Sequence, residues 1–237
     1  MKKAIIIGGT TGIGHELANT LVHNNYKVII TGIEKDIIIE LEQQNNPFLT
    51  AKFLDCINDN GSNKIAELTQ ELDSLDLLVF SAGIGHLNKN LGFKVENNAN
   101  KLNVLAFTEI ADWSYRFFEK QGYGHFTAIS SIAGLFGYYA APAYHAAKSY
   151  QINYLEGLRQ KAFKSGKPIY ITDIRPGFVA TQMTEGKKRF WTVSKEKAAT
   201  LIFDYIRDKK DVGYVSKRWF LIALILKLIP YWARKRL

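Results

Sequence analysis

Tyr144 and Lys148 are the two residues of this chain whose types and spacing best suit proton transfer. They lie four positions apart in YHAAK, within a helical pattern, so their side chains project from one helix face, a turn apart. A free tyrosine has a pKa of about 10, and a nearby ammonium lowers that pKa by favouring the phenolate. The pair therefore predicts a tyrosine that exchanges protons with a ligand, although the same spacing also occurs in ordinary surface pairs.

Two serines, Ser130 and Ser131, precede this helix at the end of a predicted strand. Ligands of doubly wound sheets bind at the carboxyl ends of the strands, where either hydroxyl could meet a substrate. Either hydroxyl could instead only cap the loop. The residues alone leave this choice open.

A glycine-rich turn near the start of the chain is a second candidate site. Gly8, Gly12 and Gly14 follow an apolar run and open a helical pattern, and Thr10 and Thr11 add hydroxyl donors. Glycine lets a backbone approach a pyrophosphate closely, and a helix N-terminus supplies free N–H groups and partial positive charge. We expect this turn to bind a nucleotide, with a simple tight connection as the alternative.

The same start, MKKAIIIGG, can also be read as a secretion signal, because two lysines precede an apolar run. That run stops at Gly8, short of the roughly 7–15 apolar residues that a signal requires. Cys56 is the only cysteine, which excludes an intrachain disulfide and agrees with a reducing compartment. We therefore expect a cytoplasmic protein, and the absence of CxxC and HxxxH motifs indicates no metal site.

Short apolar runs alternate with helical patterns from end to end of the chain, which is typical of stacked βαβ units. The runs are KKAIII, YKVIIT, FLTAKFL, LDLLVFS, HFTAIS, PIYITDI and VGYVS, and the helical patterns cover residues 12–24, 34–44, 62–73, 97–120, 143–165 and 194–208. We predict a doubly wound α/β fold: a seven-stranded parallel sheet with helices on both faces. The 237 residues suit one domain, predicted over 1–216, with an apolar and basic extension over 217–237.

The net charge of +9 is concentrated near the end of the chain. Residues 207–237 contain nine Lys or Arg and two Asp or Glu, a net +7, which leaves +2 for the first 206 residues. A nucleic-acid-binding domain spreads basic residues over a folded face. The charge therefore indicates a local basic surface and no nucleic acid partner.

These motifs, in their order, resemble the short-chain dehydrogenase/reductase family. They are the glycine turn, Asp55, Ser81-Ala82-Gly83, Asn103, Ser131, Tyr144-x3-Lys148 and Pro176-Gly177, and the match runs from about Lys2 to Thr181. The family's serine lies thirteen residues before its tyrosine, which selects Ser131 over Ser130. Two positions depart from the family pattern: Ser81, where asparagine is usual, and Ile7, where threonine is frequent.

The resemblance implies a role for each catalytic candidate. Tyr144 would be the general acid/base, Lys148 would modify its pKa and bind the nicotinamide ribose, and Ser131 would hold the substrate oxygen. Asn103 would support the water chain that returns protons to Lys148. The predicted cofactor-binding residues are Gly8, Thr10, Thr11, Gly12, Ile13, Gly14, Thr31, Gly32, Asp55, Ser81, Ala82, Gly83, Tyr144, Lys148, Pro176, Gly177, Val179 and Thr181. The implied reaction transfers hydride between a nicotinamide cofactor and a small carbonyl or alcohol.

The end of the second predicted strand bears on the choice between NAD and NADP. An acidic residue there binds the ribose of NAD and repels the 2'-phosphate of NADP, whereas this chain has the uncharged Gly32. Thr31 and Lys35 could bind a phosphate, and Glu34 could instead serve a ribose if the loop folds back. We expect NADP(H) to be favoured over NAD(H).

The segment after Thr181 is short for a substrate lid, which predicts an open site. Its candidate apolar and basic contacts are Phe178, Met183, Phe190, Trp191, Lys187, Lys188 and Arg189. A solvated basic loop with its aromatic residues in the core is an equal alternative. The substrate itself is not predicted.

The stretch from Trp219 to Ala233 is apolar nearly all round, and Lys227 and Pro230 interrupt it. A helix of this length reaches about 22 Å, short of a bilayer core of about 30 Å. We expect the body or a second subunit to cover it, and contact with lipid headgroups is the alternative. The resemblance also implies a homodimer or homotetramer, with the helices of Asn103 and Tyr144 between subunits.

Two other functions compete with this interpretation. A catalytically silent cofactor sensor would not need Ser131, Tyr144 and Lys148 together, so their joint presence counts against it. A membrane-attached interaction protein would depend on the extension over residues 217–237.

Overall fold

The computed structural model describes residues 1–181 and 191–235. Seven parallel strands form one sheet in the order β3-β2-β1-β4-β5-β6-β7. They are β1 Lys2–Ile7, β2 Tyr26–Gly32, β3 Leu49–Phe53, β4 Leu77–Phe80, β5 Gly124–Ile129, β6 Ile169–Pro176 and β7 Val212–Val215. The predicted doubly wound α/β fold is confirmed.

Helices alternate with the strands along the chain. They are α1 Gly12–His23, α2 Lys35–Gln43, α3 Gly61–Leu72, α4 Phe93–Asn100, α5 Phe107–Gln121, α6 Pro142–Ser165, α7 Lys195–Arg207, α8 Lys217–Leu228 and α9 Tyr231–Arg234. The predicted helix over 97–120 is divided, because a π-helical segment, Lys101–Ala106, lies between α4 and α5. Such segments are frequent at functional sites, and this one contains Asn103.

Apolar side chains cover both faces of the sheet. One core includes Phe80, Phe107 and Phe126, and the other includes Leu17, Ile30 and Ile202. Because both faces are covered, the central strands are almost wholly apolar, as parallel strands in α/β proteins usually are. Because all seven strands are parallel, their carboxyl ends lie along one edge of the sheet.

The strand order reverses between β1 and β4, which are neighbours in the sheet. The Ser81 N–H, directly after β4, donates a hydrogen bond to the carbonyl of Ile7, the last residue of β1, at 2.8 Å. In doubly wound sheets this switch point opens the crevice in which ligands bind.

The C-terminal helix α8 packs against β7 and against the 3-10 turn Ile132–Leu135 that follows β5. Trp219 and Ala223 are its buried anchors, at 4% and 1% exposure. Within the described ranges, no helix combines the length and the apolar character needed to cross a bilayer.

Candidate active site

Helix α6 carries Tyr144 and Lys148, and its N-terminus is held from α4. Pro142 occupies the first turn, where its missing N–H costs nothing. Glu96 of α4 accepts a hydrogen bond from the Ala143 N–H at 3.0 Å and another from the Asn88 side chain at 2.5 Å. A carboxylate at this end also complements the helix dipole, so α4 fixes where the first turn of α6 begins.

Tyr144 is half-buried, and a glycine lies against its ring. A Cβ added at Gly85 would lie 2.6 Å from Tyr144 Cδ2, so residue 85 has room for no side chain. Lys148 Nζ lies 5.9 Å from the centre of the Tyr144 ring. The loop after β4 and helix α6 thus hold the ring between them, with an ammonium group beside it.

The Lys148 side chain enters the protein and is only 3% exposed. Its Nζ donates hydrogen bonds to the Ile129 carbonyl and to Gln151 Oε1, each at 2.9 Å. Burial lowers the pKa of Lys148 to about 8, while the charge of Asp173 acts in the opposite direction. At neutral pH the site therefore contains a buried positive charge.

Asn103 lies beside this charge but uses its side chain to hold the loop after β4. Its Nδ2 donates to the Ile84 carbonyl at 2.6 Å, and its Oδ1 accepts from the Ile84 N–H at 3.1 Å. A Cβ at Gly83 would lie 3.3 Å from Asn103 Oδ1 and 3.5 Å from Lys148 Nζ. The structure thus brings Gly83, Asn103 and Lys148 together.

Gln151 is a residue of this cluster that sequence reasoning missed. It is fully buried, accepts from Lys148 Nζ, and donates from Nε2 to the Asn103 carbonyl at 2.9 Å. The available signal was a glutamine on the apolar side of α6, at helical spacing from Ala147 and Leu155. A polar residue at such a position needs buried partners.

The two candidate serines are engaged differently. The Ser130 hydroxyl donates to Asp173 Oδ1 and to the Ile174 carbonyl, inside the core. Asp173 also pairs with Arg175, with 2.7 Å between Oδ2 and Nε. Ser131 Oγ accepts from the Ala133 N–H at 3.1 Å and so caps the 3-10 turn. Of the two hydroxyl groups, the one on Ser131 is not tied to the buried ion pair.

The glycine turn packs closely against the neighbouring loop and itself. Gly8 has a φ of 75°, and a Cβ there would lie 2.6 Å from the Ala82 nitrogen. A Cβ at Gly14 would lie 2.2 Å from the Gly8 carbonyl oxygen. Thr11 is the N-cap residue of α1, and its side chain makes no capping hydrogen bond. The backbone N–H groups of the first turn are therefore left for another acceptor. This cradle fits the phosphates of a dinucleotide.

Glu34 folds back over the glycine turn. Its Oε2 accepts from the Thr10 hydroxyl at 2.5 Å and from the Ile33 N–H at 3.1 Å. A Cβ at Gly32 would lie 2.8 Å from the same oxygen. A carboxylate therefore stands at the end of β2, although Gly32 itself carries no charge. Thr31, predicted with these residues, is fully buried in this structure.

Asp55 lies after β3, where its carboxylate organises a loop. Its oxygens accept from the Ile57 N–H at 2.9 Å and from Asn58 Nδ2 at 2.7 Å. Burial acts to raise the pKa of Asp55, but these hydrogen bonds outweigh it and lower the pKa. The charged form is thus held in place at the same edge of the sheet as the glycine turn.

The segment after β6 borders the cleft from the other side. Pro176 ends β6, and Val179 is buried and bridges to Val193. A Cβ at Gly12 would lie 3.6 Å from Thr181 Cγ2, which places Thr181 opposite the glycine turn. Among the predicted lid contacts, Met183, Lys187, Lys188, Arg189 and Phe190 lie outside the described residues.

Trp219 of α8 lies directly on Gly177. A Cβ at Gly177 would lie 2.0 Å from Trp219 Cε2, and the Phe178 ring stands edge-on to the indole at 5.4 Å. The predicted lid residue Trp191 is also near, with 6.4 Å between the two ring centres. The C-terminal helix therefore forms part of the cleft wall, which the sequence motifs did not predict.

Comparisons with known proteins agree with this architecture. "Dehydrogenase/reductase SDR family protein 7-like" of Dictyostelium discoideum is 27% identical over 205 residues, covering 79% of this chain and 62% of that protein. The chain thus spans less than two thirds of that relative. "3-oxoacyl-[acyl-carrier-protein] reductase FabG" of Buchnera aphidicola is 27% identical over 195 residues, covering 80% of this chain and 78% of the relative.

Solved structures show the same fold at lower identity. A short-chain dehydrogenase/reductase from Burkholderia phymatum, in complex with NAD, has a TM-score of 0.84 at 15% identity and covers 94% of this chain and 92% of its own. A short-chain type dehydrogenase/reductase from Mycobacterium ulcerans has a TM-score of 0.80 at 21% identity, covering 100% and 98%. The family model described as short chain dehydrogenase matches residues 2–190. The chain therefore belongs to the short-chain dehydrogenase/reductase family of oxidoreductases, which transfer hydride with a nicotinamide cofactor.

Proposed function

We propose that this protein interconverts a small carbonyl compound and its alcohol, with Tyr144 as the general acid/base. The observation that carries this proposal is the buried Lys148 ammonium beside the Tyr144 ring on one face of α6. A bound nicotinamide would supply the hydride transfer. In the reductive direction, the Tyr144 hydroxyl donates its proton to the carbonyl oxygen, and the positive charge of Lys148 stabilises the phenolate that remains.

The surrounding residues bind and orient in this proposal. Ser131 holds the substrate oxygen, and Asn103 keeps the loop after β4 against Lys148. The backbone N–H groups at the start of α1 would bind the cofactor phosphates. Gly83 and the segment after Pro176 would line the nicotinamide half of the site.

The experiment is a panel of carbonyl substrates followed through the absorbance of the reduced cofactor. The panel includes a 3-oxoacyl thioester, because the Buchnera relative is named for such a substrate. Tyr144→Phe is expected to lower kcat at least 100-fold, since general acid catalysis contributes about 10²–10⁴. Tyr139→Phe, at a 64% exposed tyrosine, is the control and is expected to leave kcat unchanged. Equal turnover by wild type and Tyr144→Phe would contradict the mechanism.

The expected preference for NADP(H) rested on Gly32, and the position of Glu34 argues against it. The Glu34 carboxylate stands over Gly32 and Thr10, where it would accept from ribose hydroxyl groups and repel a 2'-phosphate. We propose instead that NAD(H) binds more tightly. Fluorescence titration of both reduced cofactors tests this, with Glu34→Gln expected to raise the affinity for NADPH about tenfold and Glu40→Gln, on the exposed side of α2, as its control. Tighter binding of NADPH by the wild type would restore the original expectation.

We also propose a homo-oligomer in which α5 and α6 pack between subunits. Three apolar side chains on these helices and the preceding π-helical segment stand exposed: Leu105 at 66%, Tyr150 at 37% and Phe163 at 88%. Light scattering on a sizing column measures the mass. A dimer or tetramer is expected, and Phe163→Glu is expected to lower the mass; a wild-type monomer would contradict the proposal.

A further inference from the structure

Helix α8 is apolar on two sides, and the described part of the body covers only one of them. Trp219 and Ala223 are buried against the cleft wall. The other side carries Phe220, Leu221, Leu224, Ile225 and Leu228, each between 45% and 82% exposed. Contiguous apolar surface on one helix marks a site of contact with another body. We call these five residues the α8 face.

Charge distinguishes what can cover the α8 face. Residues 212–237 contain six Lys or Arg and no Asp or Glu. A second copy of this chain would bring an equally basic segment, so charge opposes self-association through this face. An anionic lipid surface carries the complementary charge, and basic residues beside an apolar helix strengthen binding to it.

Length distinguishes lying on a membrane from crossing it. The twelve residues of α8 extend about 18 Å at 1.5 Å per residue, and Pro230 separates this helix from α9. A bilayer core of about 30 Å exceeds that length. The helix can insert its exposed side into the interfacial region while Trp219 remains on Gly177.

From this face, this charge and this length we propose that α8 docks the protein on the surface of an anionic membrane. The docked state is peripheral, and α8 lies in the membrane plane. The proposal is independent of the reaction assigned to Tyr144, because it depends on no catalytic residue.

Cosedimentation of the full chain with lipid vesicles tests this docking. At low salt we expect binding to vesicles of phosphatidylcholine with phosphatidylglycerol, and little binding to phosphatidylcholine alone or at high salt. Ile225→Gln is expected to weaken binding about tenfold, because it removes one inserted apolar side chain. Ile39→Gln is the matched control, since Ile39 of α2 is 53% exposed and Ile225 is 58% exposed.

Two results would overturn the docking proposal. One is the absence of binding to anionic vesicles at low salt. The other is a homo-oligomer that Ile225→Gln dissociates and Ile39→Gln does not, which would make a second copy the occupant. Cofactor titration of both variants confirms that they are folded, and its outcome is separate from vesicle binding.

A second inference comes from Gln151, which joins Lys148 to the backbone of Asn103. Its amide oxygen accepts from Lys148 Nζ and its amide nitrogen donates to the Asn103 carbonyl, both at 2.9 Å. These two bonds determine which end of the amide is oxygen, because an ammonium only donates and a carbonyl only accepts. The expected water chain would pass between Lys148 and Asn103, and a side chain occupies that connection.

We infer that Gln151 is a positioning residue: its amide is fixed on the Asn103 carbonyl and in turn holds the Lys148 ammonium in place. This inference rests on the proposed role of Lys148, but its first measurement needs no substrate.

The measurement is an NMR titration of Lys148 with its ε carbon labelled, assigned by loss of the signal in Lys148→Met. The other groups that act on Lys148 are the Asp173 charge, the Tyr144 ring and the Ile129 carbonyl. Gln151→Leu is expected to lower the titration midpoint by about one pH unit, because the ammonium loses an acceptor. Gln151→Glu is expected to raise it, and Gln160→Leu, on the exposed side of α6, is expected to leave it unchanged.

Equal midpoints in wild type, Gln151→Leu and Gln151→Glu would overturn this second inference. With a substrate from the panel, Gln151→Leu is further expected to lower kcat about tenfold and to leave cofactor affinity unchanged. If the midpoints move as expected and Tyr144→Phe retains full activity, the contact is correct and the proposed reaction is wrong.

Discussion

The cluster around Lys148 and the helix α8 place polar and apolar side chains in opposite ways. Lys148, Asn103 and Gln151 are at most 3% exposed, although water would solvate each of them well. The α8 face is mostly exposed, although water solvates it poorly. The buried amides find hydrogen-bond partners within the chain. On the α8 face the Phe220 ring meets the Tyr214 ring edge-on at 5.4 Å, but among the described residues the five side chains of this face remain 45–82% exposed. The first region is satisfied within one chain, and the second is the surface that we propose docks on a membrane.

The largest expected effect comes from removing the buried charge. Lys148→Met is expected to lower kcat about 100-fold or more, because the phenolate of Tyr144 loses its neighbouring ammonium. Steady-state kinetics with a panel substrate measures this. Lys164→Met, at the exposed end of α6, is the control. If Lys148→Met retained more than about a tenth of the wild-type activity, the Lys148 ammonium would not be needed for catalysis.

The next effect concerns the contact that holds α8 on the body of the protein. Trp219→Ala is expected to cost about 3–5 kcal/mol of the free energy that holds α8 to the body, because a fully buried aromatic side chain is lost. Hydrogen exchange of the α8 amides should then accelerate strongly. Trp232→Ala, at a 63% exposed residue, should change it little. Slow exchange in Trp219→Ala would mean that other contacts anchor the helix.

A buried polar group far from the cleft allows a test by pH. Burial, together with the charges of Lys209 and Lys2, lowers the pKa of His125 to about 3, and its Nε2 lies 2.7 Å from the Thr172 hydroxyl. Below about pH 6.5, His125 binds a proton in the unfolded chain but stays neutral in the folded chain. As the pH is lowered from about 6.5 to 3, the free energy of unfolding should therefore decrease by about 1.4 kcal/mol per pH unit.

Denaturant unfolding of wild type and His125→Gln across this range measures the contribution of His125. The variant is expected to show a shallower slope by that amount. Identical slopes in wild type and His125→Gln would show that His125 is protonated in the folded state.

The smallest effect belongs to the α8 face itself. Leu224→Gln is expected to change the free energy of unfolding by less than about 0.5 kcal/mol, because this side chain is already 45% exposed. Ala223→Gln, one residue earlier and 1% exposed, is expected to cost about 2 kcal/mol or more. Thermal unfolding in the absence of lipid measures both. A large loss in Leu224→Gln would mean that the body already covers this side of the helix.

Local patterns were enough to predict the sheet and to place Tyr144 and Lys148 on one face of the same helix. Apolar runs, turn glycines and helical periodicity are properties of neighbouring residues. Five of the six predicted helices both begin and end within one residue of an observed helix. Gln151 could not be assigned this way, because its two partners come from the preceding turn of its own helix and from a residue 48 positions away. A contact of that kind depends on tertiary packing.

The positions of the Glu34 carboxylate and of helix α8 also could not be predicted from local patterns, because both depend on tertiary contacts. The sequence placed an uncharged residue at the end of β2, and only the backbone path of the loop brings Glu34 onto Thr10. The apolar character of residues 219–233 was evident from the sequence. Which of these residues would face the body depended on a tertiary contact with another part of the chain. That contact is with Gly177, which has no side chain and so leaves room for Trp219.

This last contact has a consequence for how the chain tolerates mutation. An alanine at position 177 would place its Cβ 2.0 Å from Trp219 Cε2, so the change is harmful while the indole is present. In a Trp219→Ala background the same space is empty, and Gly177→Ala should then be nearly neutral. The effects of the two changes are therefore non-additive. The two positions, 42 residues apart in sequence, form an epistatic pair.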